Sequence, residues 1–196
     1  MLIFWKERLV FLATPKTGTT AIEAALESLA NVAVQRPPAL KHTTFRRYRR
    51  YLAPYLRSAA KEDFTVVALM REPVSWLGSW YRFRQREDMA HPERSTQGVS
   101  FDAFVDAYIG EARPEFASMG SQSAFLASGD DAPGPQLFRY ENIGAFVRYL
   151  EDRLDCEIIL PRLNVSPEAE MALSAATEAR LRDARAADFA LYDSLA

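Results

Sequence analysis

Cysteine occurs once in the 196 residues, at Cys156, so no disulfide can close within the chain and no structural zinc site can be built on thiolates. Histidine is nearly as scarce: His42 and His91 are the two imidazoles available to acid–base chemistry. No apolar run approaches the roughly 20 residues that cross a bilayer. The opening stretch MLIFWKERLVFLATPK has the look of a signal peptide, but Lys6, Glu7 and Arg8 break its apolar part. Its second half ends in a polar turn and not in a small-residue cleavage site. The N-terminus therefore reads as mature structure, and the protein as cytoplasmic with no transmembrane segment. An excess of charge is also missing. The formal net charge is -2, which lends no support to a nucleic-acid partner, and none is expected. Internal repeats and low-complexity linkers are absent.

What is present is ordinary globular composition, 48% hydrophobic and 26% charged, which excludes general disorder. A chain of this length buries roughly 70% of its unfolded surface and reads as a single domain, 1–196. Leu9 to Ala13 is short, β-branched or bulky and apolar throughout, as a strand covered on both faces is, and Phe64 to Met70 reads as a second buried strand. Ile22, Ala25, Leu26 and Leu29 follow a helical period after the first. Val32 to Val34 is either a short strand or a connection. A helical stripe runs from Thr43 to about Lys61, where Pro54 predicts a kink or two shorter helices. Val74 to Arg84, Phe101 to Ile109, Ser121 to Leu126 and Ile143 to Arg153 read as further helices. Gln136 to Arg139 and Cys156 to Leu160 read as strands. A last helix starts at VSPEAE, capped by Ser166 with Pro167 in its first position, and reaches Tyr192. Residues 84–100 are polar and lose all periodicity, and are expected to form a mobile surface loop. Strands alternating with helices predict a three-layer α/β/α domain with a mostly parallel central sheet.

In such a sheet ligands collect beyond the carboxyl ends of the strands, and both confident strands end there in conspicuous polar groups, TPKTGTT and REPVSWLGS. In the first, a helix N-terminus offers amide donors and partial positive charge to an anion. Gly18 lets the backbone curl closely, Lys16 adds a full charge, and Thr17, Thr19 and Thr20 add hydroxyls. The plainer reading is a capped helix with Lys16 in solvent. The loop is not that of ordinary ATPases and GTPases, G-x-x-x-x-G-K-[ST]: residue 13 is alanine and the lysine precedes the glycine. Nor does the second strand end in an acidic partner for magnesium, since Met70 and Arg71 stand there.

PKTGTT, Pro15 to Thr20, resembles the 5'-phosphosulfate loop of the sulfotransferases that use 3'-phosphoadenosine 5'-phosphosulfate. Their second motif places an arginine at a strand end and a serine eight residues on; Arg71 and Ser79 meet that spacing. The motif here reads REP where RNP is commoner, and Ser75 stands where many members have aspartate. The resemblance covers residues 8 to 84 and extends more loosely through FRYENI, LPRLNVS and DFALYDSL, which are similar to carbohydrate-modifying members.

The resemblance implies a fold like that of nucleotide hydrolases with phosphate-binding loops. It also implies transfer of a sulfuryl group from 3'-phosphoadenosine 5'-phosphosulfate to a hydroxyl, or less readily an amine, with no metal. Lys16 would steady charge on the bridging oxygen; Thr17, Gly18, Thr19 and Thr20 would hold the 5'-phosphate; Arg71 and Ser79 would hold the 3'-phosphate. An acceptor hydroxyl needs a base. His42 stands where the family often places one, and is otherwise a surface histidine at the start of a helix. Lys41, Arg46, Arg47, Arg49 and Arg50 either line an approach for an anionic or polyhydroxylated acceptor or form a solvated helix face. Trp76, Trp80 and Tyr81 are read first as packing. A carbohydrate, a lipid headgroup and a small metabolite are all open as acceptor, and the oligomeric state is open too. Two rival classes stand beside this one. A nucleoside or nucleotide kinase would bind ATP with magnesium, and a non-catalytic nucleotide-binding adaptor would bind the donor without transferring from it.

Overall fold

The computed structural model describes residues 1–87, 91–129, 133–161 and 169–195. In chain order the strands and helices are β1 (Leu2–Phe4), β2 (Leu9–Leu12), α1 (Thr19–Leu26), β3 (Val32–Ala33), α2 (Pro38–Lys41), α3 (Phe45–Arg47), α4 (Ala53–Ala60), β4 (Thr65–Met70), α5 (Pro73–Arg84), α6 (Phe101–Ile109), α7 (Gln122–Leu126), β5 (Gln136–Arg139), α8 (Ile143–Leu154), α9 (Ala175–Ala184) and α10 (Ala186–Asp193). Among the described residues no helix is long and apolar enough to cross a membrane.

The sheet has five strands in the order β3-β1-β2-β4-β5. β2 lies parallel to β4, with Leu9 opposite Thr65 and Leu12 opposite Ala68, and β4 lies parallel to β5, with Met70 opposite Arg139. β1, however, runs antiparallel to both β2 and β3. The fold is α/β with a mixed sheet flanked by helices, and the expectation of a mostly parallel sheet is overturned. The cause lies in Lys6 to Arg8. These charges interrupt an apolar run because they form the turn of a hairpin, which brings Phe4 opposite Leu9. Arg8 takes a positive φ of 51° there, and its side chain bonds Glu62 at 3.0 Å. Val32 and Ala33, a strand or a connection by sequence, form a two-residue strand at the sheet margin.

Cys156 to Leu160 is a second correction, for it forms no strand. Ile158 is buried and its N–H donates to the Glu151 carboxylate at 2.9 Å, whereas Ile159 is 80% exposed. Apolar, branched residues here pack from an irregular segment after α8. Around Pro54 the chain stays helical from residue 45 to 60, but a π turn over Tyr48–Leu52 precedes the proline and alters the hydrogen-bond pattern there, which accommodates its missing N–H in the first turn of α4. The start assigned to the last helix, at Ser166 and Pro167, lies outside the described residues; within them α9 is capped by Ser174, whose hydroxyl accepts from the Thr177 N–H at 3.1 Å.

The chain divides into two compact units: Met1–Arg71 with Gln122–Leu163 and Leu195–Ala196, and Glu72–Ser121 with Asn164–Ser194. The first holds the whole sheet. One sheet face presents Leu2, Phe4, Leu9, Phe11, Val67 and Leu69 to Ile22 and Leu26 of α1 and to Phe146 and Leu150 of α8. The opposite face, with Val10, Leu12, Ala68 and Met70, is fully buried as well, which is why β2, and β4 beyond Thr65, are apolar. In the second unit Trp76, Leu77 and Tyr81 of α5 pack with Phe101, Phe104 and Tyr108 of α6, and with Leu181 and Phe189. Trp76 and Tyr81 are thus core residues. Within residues 84–100, Thr96 is buried and its hydroxyl donates to the Tyr81 carbonyl at 2.8 Å, while the Tyr81 hydroxyl donates to the Val99 carbonyl at 2.7 Å.

Candidate functional site

Because β2, β4 and β5 run parallel, their carboxyl ends gather on one edge of the sheet, and the polar residues that follow each strand gather with them. After β2 the chain turns sharply. Lys16 and Gly18 both take positive φ, 65° and 71°, and α1 begins with no side chain capping it. Its leading amides are therefore open to an anion. Gly18 and Thr20 are exposed, Lys16 is half-buried, and Thr17 and Thr19 are buried. The Thr17 hydroxyl donates to the Thr14 carbonyl at 3.0 Å, so it ties the turn together. Thr14 itself is fully buried, and its hydroxyl has no hydrogen-bond partner among the described residues. A buried hydroxyl left in that state is uncommon and sits here at the base of the turn.

Arg71 follows β4 and reaches the same turn. Its Nη1 donates to the Lys16 carbonyl at 3.4 Å, and its guanidinium lies over the Tyr140 ring, 4.7 Å from the centroid. Its backbone is held by Gln122, whose side-chain oxygen accepts from the Arg71 N–H at 2.9 Å and whose amide donates to the Arg71 carbonyl at 2.7 Å. Tyr140 follows β5 and packs on the turn from below: a Cβ placed on Gly18 would stand 3.0 Å from the Tyr140 ring. Gly18 is thus required twice, by its backbone angle and by the ring against it.

His42 arrives from α2. Its Nδ1 lies 2.6 Å from the Ala13 carbonyl, at the end of β2. A carbonyl only accepts, so Nδ1 carries the proton and Nε2 keeps its lone pair. Burial pushes the ring pKa below its ordinary 6.5, and the Lys41 charge adds to this, while the bond to Ala13 and the Glu23 carboxylate oppose it. The net direction is downward, which leaves the imidazole neutral at pH 7, the form a general base needs.

Lys16, Thr17, Gly18, Thr19, Thr20, Arg71 and His42 therefore stand at one sheet edge. Ser79 belongs to the second unit, where it is buried on α5. Glu72 and Pro73, between the two, start that helix: the Glu72 carboxylate accepts from the N–H groups of Val74 at 3.0 Å and Ser75 at 2.6 Å. Of the arginines, Arg49 donates to the Ser128 carbonyl at 3.3 Å and Arg46 packs against Gly129, whereas Arg47 and Arg50 are exposed. His91 pairs with Glu93 at 3.2 Å on the surface. Two contributors carried no mark in the sequence analysis. Tyr140 had a signal, its place directly after a third parallel strand in FRYENI; Gln122, one amide in a short helix, had none. Among the described residues no cluster of histidine, cysteine or carboxylate side chains could hold a metal ion. Comparison of the chain with models of known families, with curated proteins and with solved structures found no match.

Proposed function

We propose that the chain is a sulfotransferase that moves a sulfuryl group from 3'-phosphoadenosine 5'-phosphosulfate to a hydroxyl acceptor. The observation that carries the reading is the convergence of an uncapped helix N-terminus, the cation-bearing Lys16 and Arg71, and the neutral, Nδ1-protonated His42 on the ends of β2 and β4. The donor supplies the sulfuryl group and a bisphosphate leaving group. Around it, the amides at Gly18 to Thr20 and the Thr20 hydroxyl bind the 5'-phosphate, and Lys16 steadies negative charge as the bridging S–O bond breaks. Arg71 adds a second cation, a guanidinium, to the same edge. His42 takes the acceptor's proton on Nε2 as the acceptor oxygen bonds to sulfur. Positioning and electrostatics carry the chemistry, as in phosphoryl transfer.

Calorimetry with adenosine 3',5'-bisphosphate and with ATP, each with and without magnesium, tests the reading. The bisphosphate is expected to bind without magnesium and more tightly than ATP. At about 100 times its dissociation constant it should stabilise the fold by about 2.7 kcal/mol. Tighter, magnesium-dependent ATP binding would replace the reading with a kinase. Tight bisphosphate binding without transfer to any acceptor of a broad hydroxylated panel would replace it with an adaptor.

A further inference from the structure

His42 is carried by a segment that has almost nothing apolar to hold it. From Asn31 to His42 no side chain is buried, and α2 contributes none to any core. Residues 31–34 are tied to β1 through the backbone, by Asn31 N–H to the Ile3 carbonyl at 2.9 Å and Val34 N–H to the Met1 carbonyl at 2.8 Å. Beyond them, the amides of Leu40, Lys41 and His42 bond only within the α2 turn, to Pro37 and Pro38, and the Thr43 hydroxyl donates to the Leu40 carbonyl. Hydrophobic burial, the usual source of positional precision, is missing at the place where a base would have to be held.

A buried ion pair stands there instead. Glu23, on α1 one turn past the anion-facing amides, is 3% exposed. One carboxylate oxygen accepts from Lys41 Nζ at 2.5 Å, and the other from the Met1 ammonium at 3.1 Å. Lys41 immediately precedes His42. A carboxylate removed from water holds such a partner firmly, because leaving it unpaired is far more costly than never having buried it. We propose that the Glu23–Lys41 ion pair is the anchor that seats His42 against the Ala13 carbonyl, making Glu23 and Lys41 positioning residues for the base. The proposal rests on the reading of His42 as that base and adds how its place is enforced: α1 binds the anion with its first turn and holds the base through its second.

The charged groups bearing on the His42 ring are Lys41, Glu23 and the Met1 ammonium, and their signs make a clean test. With two histidines in the chain, proton NMR titration of the free protein resolves His42 once His91→Gln has assigned the other signal. If Glu23 acts on His42 only through its charge, Glu23→Ala removes a term that raises the ring pKa, and the titration moves further down. If Glu23 anchors the segment, the ring leaves its half-buried seat and the titration moves up toward 6.5. The double variant Glu23→Leu/Lys41→Leu removes the anchor without stranding Lys41, should Glu23→Ala not fold. Because the Lys41 charge bears on the ring more than that of Glu23, charge loss alone raises the titration there, so the readout is the His42 Nδ1–H signal, which is expected to lose its protection from solvent exchange as the bond to the Ala13 carbonyl opens. Lys41→Arg, which keeps the pair, should restore the wild-type titration. Adenosine 3',5'-bisphosphate affinity should change less than about 2-fold, and turnover, where an acceptor is in hand, should fall about 100-fold as the base loses its place. A His42 titration that moves down in Glu23→Ala, or an Nδ1–H signal that stays protected in the double variant, overturns the proposal. The titration needs neither donor nor acceptor, so a failure of the sulfuryl-transfer reading leaves it unaffected, and the reverse also holds.

Discussion

At His42 the side-chain geometry separates binding from proton transfer. On the proposed reading of His42 as the base, His42→Ala is expected to leave adenosine 3',5'-bisphosphate affinity within about 2-fold while turnover drops by about 100-fold to 10,000-fold; steady-state kinetics beside calorimetry checks both. The pH dependence follows from the lowered pKa. The rate should fall only as pH drops through a value below 6.5, because protonation of Nε2 there removes the base. For stability the sign is the same: the folded state binds the proton less readily than the unfolded one, so the contribution is complete above 6.5 and is lost as pH falls toward the folded pKa. Thermal melts of wild type and His42→Ala between pH 5 and 7.5 should converge on the acid side. That Lys16 and Arg71 share a sheet edge was legible in the sequence because each closely follows an apolar strand, whereas His42 was marked only by the resemblance, its bond to the Ala13 carbonyl being a contact that sequence does not display. Thr17 was legible only as a hydroxyl, since its bond to the Thr14 carbonyl depends on a turn that sequence does not display.

Elements in this protein are decided at their ends. REP is a phosphate-contact motif by resemblance for its arginine alone; Glu72 and Pro73 are a helix start, with the carboxylate taking two of the orphan amides of α5. Glu72→Ala should therefore cost about 1 kcal/mol of stability in denaturant melts, with Glu72→Asp recovering part of it. An unchanged midpoint would show that solvent serves those amides equally well. Pro54 predicted a kink or two shorter helices; residues 45–60 instead stay helical, with a π turn ahead of the proline changing the hydrogen-bond pattern. Cys156 to Leu160 misled for a different reason. Local preference for extended structure was strong, but strand identity needs a ladder partner, and pairing is a property of the whole sheet. Asp155, in a left-handed conformation after α8, redirects the chain into an irregular segment that buries Ile158 and exposes Ile159.

Over the whole molecule, the mixed topology follows from three charged residues. Lys6, Glu7 and Arg8 were read only as a break in an apolar run, yet that interruption is a turn, and a turn between two apolar segments makes neighbours antiparallel. Alternation of strands and helices described β2, β4 and β5 and said nothing of a hairpin placed before them. That hairpin bears on the order of events as the chain folds. Phe4 meets Leu9 across a single tight turn, whereas Leu12 must find Ala68 and Met70 must find Arg139 over long stretches of chain. Short closures come at low entropic cost and long ones do not. Substitutions at Phe4 or Leu9 should then slow refolding in stopped-flow experiments, and those at Leu69 or Phe138 should mainly speed unfolding; the reverse pattern would place the nucleus in the parallel ladders. With the local hairpin first, the three parallel strand ends are brought into line only when the distant ladders close. The edge that gathers Lys16, Arg71 and Tyr140 is then a late product of folding, and a nascent chain would assemble it only after β5 has left the ribosome and joined the sheet.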